Sequence, residues 1–430
     1  MAIRSVSPER DAQTPGTRAG LLRRHTLPQP VMFWVTVALM VLFFYASSAP
    51  TPLYGVYQAK WGFSATTLTA VFAIYMLFLL VTLLVFGSLS DHVGRRPLII
   101  AAVVAEVAAS VLFLVASGAG LLFAARALQG IAVGAAANTL GAVLLDLRPR
   151  SGLAPLMSST APVAGIAVGG LLTSVLVQYG PAPTQLVWWL LLGAFLVAFF
   201  LVALMPEPGT IRAGALGSMR PRVGVPRPSR GAFARAVPAL VAMWALGGFY
   251  LSLGPSLAAQ LSGSRNLLWG GAVVFLLTGV GAVTALAVRK APAAALMLGG
   301  CLALTAGAGA TIAAIETGDA AVVLVGTGIA GLGYGTAFTG AYRTAVASAP
   351  AAGRAGLIAA VFIVSYLASG LPPLIAGITT THYGLHATAL VFAAAVAGLA
   401  AAAAGALSSR RGSRAGEPRP AARRGYGDGR

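Results

Sequence analysis

Charge is what this 430-residue chain has least of: Asp, Glu, Lys and Arg make up 9% of it, against about 25% in a soluble domain. Hydrophobic residues make up 58%, and the mean hydropathy is +0.85. Such a chain cannot cover its own surface with polar groups in water, which excludes a soluble fold and implies an integral membrane protein. One cysteine, Cys301, excludes an internal disulfide and, lying in an apolar run, reads as a small packing residue. No G-x-x-x-x-G-K-[ST] loop is present, which excludes the phosphate cradle of an ATP-driven pump. The apolar runs hold one acid well inside, Glu106, one cysteine and no histidine near mid-depth. Nucleophiles, paired acids and metal ligands of a membrane-embedded enzyme are therefore missing, and no cofactor is expected. His382 and His386 are four apart but flank Gly384 in a predicted loop without a nearby Cys or acid, so no metal site is expected there. A net charge of +19 would suggest nucleic acid in a soluble chain; here the basic residues lie between apolar runs and at the tails, which argues for topology and against a nucleic-acid partner.

Twelve runs are long and apolar enough to cross a bilayer, at about 20 residues each. They are Val31–Ala49, Thr67–Leu89, Leu98–Ser117, Leu121–Leu145, Leu156–Val177, Leu186–Met205, Pro238–Leu257, Leu267–Val288, Ala293–Ile315, Ala320–Ala341, Leu357–Thr379 and Ala387–Leu407. Continuous rather than alternating hydrophobicity excludes a β-barrel and gives an all-α membrane fold. Of the 29 basic residues, only Lys60, Arg265 and the intraspan Arg126 escape one side of the membrane, so both termini are expected in the cytoplasm. Trp61, Trp188, Trp189 and Trp269, with Tyr54 and Tyr57, fall near outer ends, where interfacial anchors are expected. Residues 1–30 are polar, read as no cleavable signal peptide, and are expected to be a disordered basic tail. Spans 31–205 form a first six-helix group and 238–407 a second. Residues 206–237, with six arginines among Pro and Gly, read as a flexible cytoplasmic linker, and 408–430 as a disordered basic tail held near anionic lipid.

Three local patterns stand out. The first, Gly87-Ser-Leu-Ser-Asp91-His-Val-Gly94-Arg95-Arg96-Pro97, is a charged hairpin between the second and third runs, with Asp91 and Arg95 four apart. The second, Arg126-Ala-Leu-Gln129-Gly130, places an arginine about 8 Å inside the fourth run at about 1.5 Å per residue. The third, Ala161-Pro162-Val-Ala-Gly165-Ile-Ala-Val-Gly169-Gly170, gathers small residues and a proline in the fifth run. The first resembles the G-x-L-x-D-x-x-G-R-R loop of major facilitator superfamily transporters, and the second resembles their R-x-x-Q-G motif. The third is similar to a degraded form of the antiporter motif G-P-x-x-G-P-x-x-G-G, with Ala161 and Ile166 in place of a Gly and a Pro. In the second half, Gly281, Arg289, Lys290 and Pro292 echo the hairpin, with Ala285 where its acid would stand.

The resemblance, to bacterial drug/proton antiporter-like members, implies two six-helix bundles with a substrate site between them near the midplane, working as a monomer in the cell membrane. It implies a cytoplasmic latch of Gly87, Asp91, Gly94, Arg95 and Arg96, with Asp146 placed to meet Arg95 and Asp91 engaging the other half. It implies a role in proton transfer for Arg126, with Gln129 and Gly130, and a hinge at Pro162, Gly165, Gly169 and Gly170. Gln129 and Asn138 are expected to share one face bordering a central cavity, with Trp244, Tyr250 and Tyr334 as further cavity residues. Glu106, about 12 Å into the third run, has three readings: proton carrier, structural partner for Arg126, or a group facing water. The peripheral place of the third helix in the superfamily weighs against the first. The missing acid in the first span is a departure from many proton-coupled exporters. The function implied is efflux of a small amphipathic organic compound in exchange for protons, or alternatively uptake of a small metabolite.

Overall fold

The computed structural model describes residues 27–147, 152–209 and 213–415. The expectations for residues 1–26 and 416–430, and for Arg148, Arg150 and Arg212, lie outside the described residues. In lipid every backbone polar group must be satisfied within the chain, so long apolar runs become helices. The first group comprises α1 (Gln29–Ser48), α2 (Pro50–Trp61), α3 (Ala65–Phe86), the short α4 (Ser90–Val93), α5 (Arg95–Leu114), α6 (Ala119–Leu147), α7 (Leu153–Tyr179) and α8 (Leu186–Ala203). After α9 (Ala215–Ser218) come α10 (Arg230–Ser252), α11 (Gly254–Ser262), α12 (Leu268–Ala287), α13 (Ala293–Thr317), α14 (Ala320–Val346) and α15 (Arg354–Ala415).

Among the described residues, 11 helices are long and apolar enough to cross a membrane. The last of them is two spans: α15 is broken at Gly384, whose φ of 82° no ordinary side chain favours. Counting its two arms gives the twelve-span architecture. The loop predicted around His382 and His386 is this kink, with one histidine on each arm, both exposed. Helix also extends past the predicted ends: α15 runs to Ala415 rather than giving way to a disordered tail at 408, and α10 begins at Arg230.

The first span continues through Pro50 as one 33-residue rod, Gln29–Trp61. Its added turns stay helical because their polar groups are covered. Tyr54 and Tyr57 are buried rather than interfacial, and Tyr57 stacks on Trp61. Trp188 is also no membrane anchor. It is fully buried, stacks on Phe113 at 3.8 Å and donates its indole N–H to Tyr57 Oη at 2.9 Å, tying α2, α5 and α8 together. Trp189 beside it is exposed.

The two groups meet along two seams, α3 on the first arm of α15 and α7 on α12. Thr66 Oγ1 lies 2.9 Å from Thr381 Oγ1, and Leu267 N donates to Gln178 Oε1 at 2.9 Å. A Cβ on Gly170 would lie 2.5 Å from Val274 Cγ1, so this glycine lets α7 and α12 touch. These contacts fall in the half of the molecule away from the Gly87–Pro97 hairpin. The halves are thus pressed together at the face opposite the hairpin.

Candidate functional site

The hairpin is held by a network that starts with backbone geometry. Gly94 has φ 105° and ψ 152°, which ends α4 and leaves the first N–H groups of α5 pointing outward. The carboxylate of Glu207, just past α8, accepts from Arg95 N at 2.7 Å and Arg96 N at 3.0 Å. An anion at a helix N-terminus satisfies orphan donors and complements the helix dipole. A Cβ on residue 94 would lie 2.9 Å from Glu207 Oε2, so the position needs glycine for space as well as for φ. The Arg95 side chain reaches Asp91 Oδ1 at 2.5 Å, Asp146 Oδ2 at 3.1 Å and the Ser90 hydroxyl. Arg96 Nη2 donates to the carbonyl of Ala203. Asp91 is thus paired within its own half.

The linker is not a free tether where it is described. Ser88 Oγ donates to Ser218 O at 3.0 Å, and His92 Nδ1 lies 3.0 Å from Ala213 O. On the other side, Gly224 N donates to Gly356 O and Ser229 Oγ to Ser348 O. One stretch of the linker therefore docks on the hairpin and another on the second half.

A second constellation lies inside the first group. Arg126 on α6 is 1% exposed. Its Nη1 donates to Gln129 Oε1 at 2.5 Å and to Ser47 O at 2.9 Å, and its guanidinium sits 3.9 Å from the centre of the Tyr75 ring. Gln129 Nε2 donates to Glu106 Oε1 at 2.8 Å and to Ala46 O at 3.0 Å. Arg126 and Glu106, both buried, are therefore joined through one amide rather than in direct contact. Ala46 O is available for a simple reason: its helical donor would be the N–H of residue 50, and Pro50 has none. The proline in the first span and the glutamine in the fourth complete each other. Glu106 Oε2, Ser110 Oγ, Arg126 Nε and Tyr54 Oη have no hydrogen-bond partner among the described residues, so the site is rich in unspent polar capacity.

The remaining predicted residues are placed as follows. Pro162 lies inside α7. A Cβ on Gly165 or Gly169 would meet Val41 O at 2.5 Å or Tyr45 O at 2.6 Å, so this stripe packs α7 closely on α1. Gln129 and Asn138 do not share a cavity face. Gln129 is buried against α1 and α5, whereas Asn138 Nδ2 approaches Leu83 O on α3 at 3.4 Å. Tyr250 is no cavity residue either: it is buried and its hydroxyl lies 2.7 Å from Thr311 Oγ1 on α13. Tyr334 packs over Gly247, joining α14 to α10. Trp244 is half-buried among Phe338 and Tyr366. Glu207, Pro50 and Tyr75 were missed by sequence reasoning. Met205-Pro-Glu207 at the end of the sixth span and a proline beside polar residues late in the first were the available signals.

Comparison with known proteins adds a family and a fold. Residues 35–373 match the family described as Major Facilitator Superfamily. Among solved structures the chain is similar to a bacterial homolog of the human lysosomal transporter Spinster in an inward-facing and occupied conformation. The TM-score is 0.70 at 14% identity, over 89% of this chain and 97% of that one. The same homolog in an inward-facing, unoccupied conformation gives a TM-score of 0.70 at 13% identity, over 89% and 98% of the two chains. A variant of the nucleoside transporter NupG gives 0.67 at 10% identity, over 89% and 99%.

Proposed function

The chain belongs to the major facilitator superfamily, a family of membrane transporters, and from that premise we propose that it exports a small amphipathic organic compound across the cell membrane in exchange for protons. The carrying observation is the buried Arg126–Gln129–Glu106 chain. Glu106 is the one acid well inside a predicted span, and it is joined to the one intraspan arginine. Buried charge inside a membrane bundle is costly and is kept where it moves ions or protons. In this reading Glu106 takes up the proton. Protonation removes the negative end of the chain, weakens the grip of Gln129 and loosens α1 at Ala46 and Ser47. Because α1 packs on α7, and α7 forms a seam with α12, that loosening reaches the contact between the halves.

Basic residues on the hairpin side make that face cytoplasmic and put both termini there. With the halves closed on the far side, the conformation is then inward-facing. In the opposite state the hairpin acts as the latch: Asp91 leaves Arg95 to meet the second half, while Asp146 and Glu207 keep hold of Arg95. Pro162, Gly165, Gly169 and Gly170 form the hinge. Trp244 and Tyr334 contribute to the substrate cavity, and the protein works as a monomer. Uptake of a small metabolite is the second reading, favoured by the missing acid in the first span and the incomplete motif in the fifth. Imposed pH gradients across proteoliposomes separate the two. Export by antiport predicts compound accumulating on the more acidic side; accumulation on the more alkaline side establishes symport and overturns the export reading.

A further inference from the structure

The second half is organised differently from the first. Among the described residues its charged side chains, such as Arg289, Glu316, Arg343 and Arg354, are exposed at helix ends or in loops. Its middle holds a cluster of rings from three helices instead. Trp244 of α10 lies 5.2 Å from Tyr366 of α15 at 48°, and 5.9 Å from Phe338 of α14 at 82°. These are the tilted and edge-on arrangements aromatic rings prefer, and they leave ring faces available.

The cluster borders the first half through Tyr366. On α14 the half-buried residues Gly335, Phe338 and Tyr342 recur at helical spacing. Tyr366 is one turn before Gly370, whose Cβ would meet Met76 of the first half at 3.6 Å. Tyr75, which carries Arg126 on its ring, is the neighbour of Met76 on α3. Tyr366 therefore borders the helix that contributes Tyr75 to the buried arginine site. Trp244 Nε1 is a donor without an acceptor among the described residues, and Ser365 Oγ beside Tyr366 is likewise unpartnered. A buried donor left unmet is costly, so an acceptor delivered by a ligand is favoured there.

We propose that Trp244, Phe338 and Tyr366 form a subsite for an uncharged planar ring bearing a hydrogen-bond acceptor, with Trp244 Nε1 as its donor. The proposal rests on the transporter reading and names the substrate class: the ring is held by the second half, and the charged chemistry stays in the first. A permanently charged group on that ring is disfavoured, because the described charged side chains of the second half are exposed at helix ends or in loops.

Three probes test this with the full-length protein in nanodiscs, by calorimetric titration: coumarin, planar with a carbonyl; octahydrocoumarin, with the same carbonyl on a puckered ring; and naphthalene, planar without an acceptor. Coumarin is expected to bind about tenfold more tightly than either, the size of one good aromatic contact in the one comparison and of one buried hydrogen bond in the other. Trp244→Phe is expected to bring coumarin down to the level of naphthalene, and Tyr366→Leu to weaken both planar probes. Equal binding of coumarin and octahydrocoumarin by the wild type, or no binding of coumarin, overturns the subsite whatever the variants do. The transporter reading fails separately. Coumarin binding without compound-driven proton flow in proteoliposomes keeps the subsite and sinks proton coupling, while proton flow without ring preference does the reverse.

Discussion

Arg126 and Glu207 are both arginine-network residues in effect, yet they sit in opposite dielectric settings. Arg126 is buried, so its removal leaves Glu106 as an uncompensated charge in the bundle. Arg126→Ala is expected to abolish proton-linked flux while the protein still reaches the membrane; unaltered flux removes the residue from the mechanism. Glu106→Gln is expected to flatten the pH dependence of flux, and an unchanged profile would leave Glu106 as a packing partner. Glu207 acts at the surface through two backbone N–H groups. Glu207→Ala is expected to cost about 0.5–2 kcal/mol, as the loss of a helix cap does, read as a lower unfolding midpoint. The arginine motif was legible at this scale because a charge inside an apolar run announces itself. Glu207 was not, because its role depends on a backbone kink at Gly94 that only the folded hairpin supplies. Tyr250 was misread because ring direction around a helix is set by neighbours such as Thr311 on α13, far away in sequence.

At the scale of elements, packing decides where helices end. Span count, order and approximate limits could be read from hydropathy alone, since lipid leaves the backbone no alternative to helix. The errors came where polar residues are covered by protein. The first span runs on to Trp61 because Tyr54 and Tyr57 are buried among other helices, and the last two spans join without a loop at Gly384. The link between Pro50 and Gln129 was hidden because each residue supplies half of it. Pro50→Ala gives Ala46 O a helical donor and competes with Gln129. That variant is expected to stay folded and to lose proton-linked flux, checked by comparing its unfolding midpoint with its transport rate. At the α7–α12 seam, Gly170→Leu collides with Val274. Overpacking of this kind costs about 1–3 kcal/mol, so a lower midpoint together with slower transport is expected.

The whole molecule divides its labour. The first half carries the buried charges and the intact motifs; the second offers rings and close-packed small residues; the linker docks on both. The two-bundle plan was legible from twelve runs and the basic stretch between them, whereas closure at the face opposite the hairpin was not, because it rests on contacts such as Gly170 with Val274 and Thr66 with Thr381 between residues far apart in sequence. Asp91→Asn is expected to reduce transport without preventing membrane insertion, since among the described residues Asp91 pairs within its own half. The central claim is that compound movement and proton movement are coupled through Arg126. It is tested most directly by following an internal pH dye in proteoliposomes of known orientation, challenged with a panel of dyes, antibiotics, sugars and amino acids. The account predicts compound-dependent proton flow opposite to the compound, absent in Arg126→Ala. Compound movement without any proton flow would contradict it.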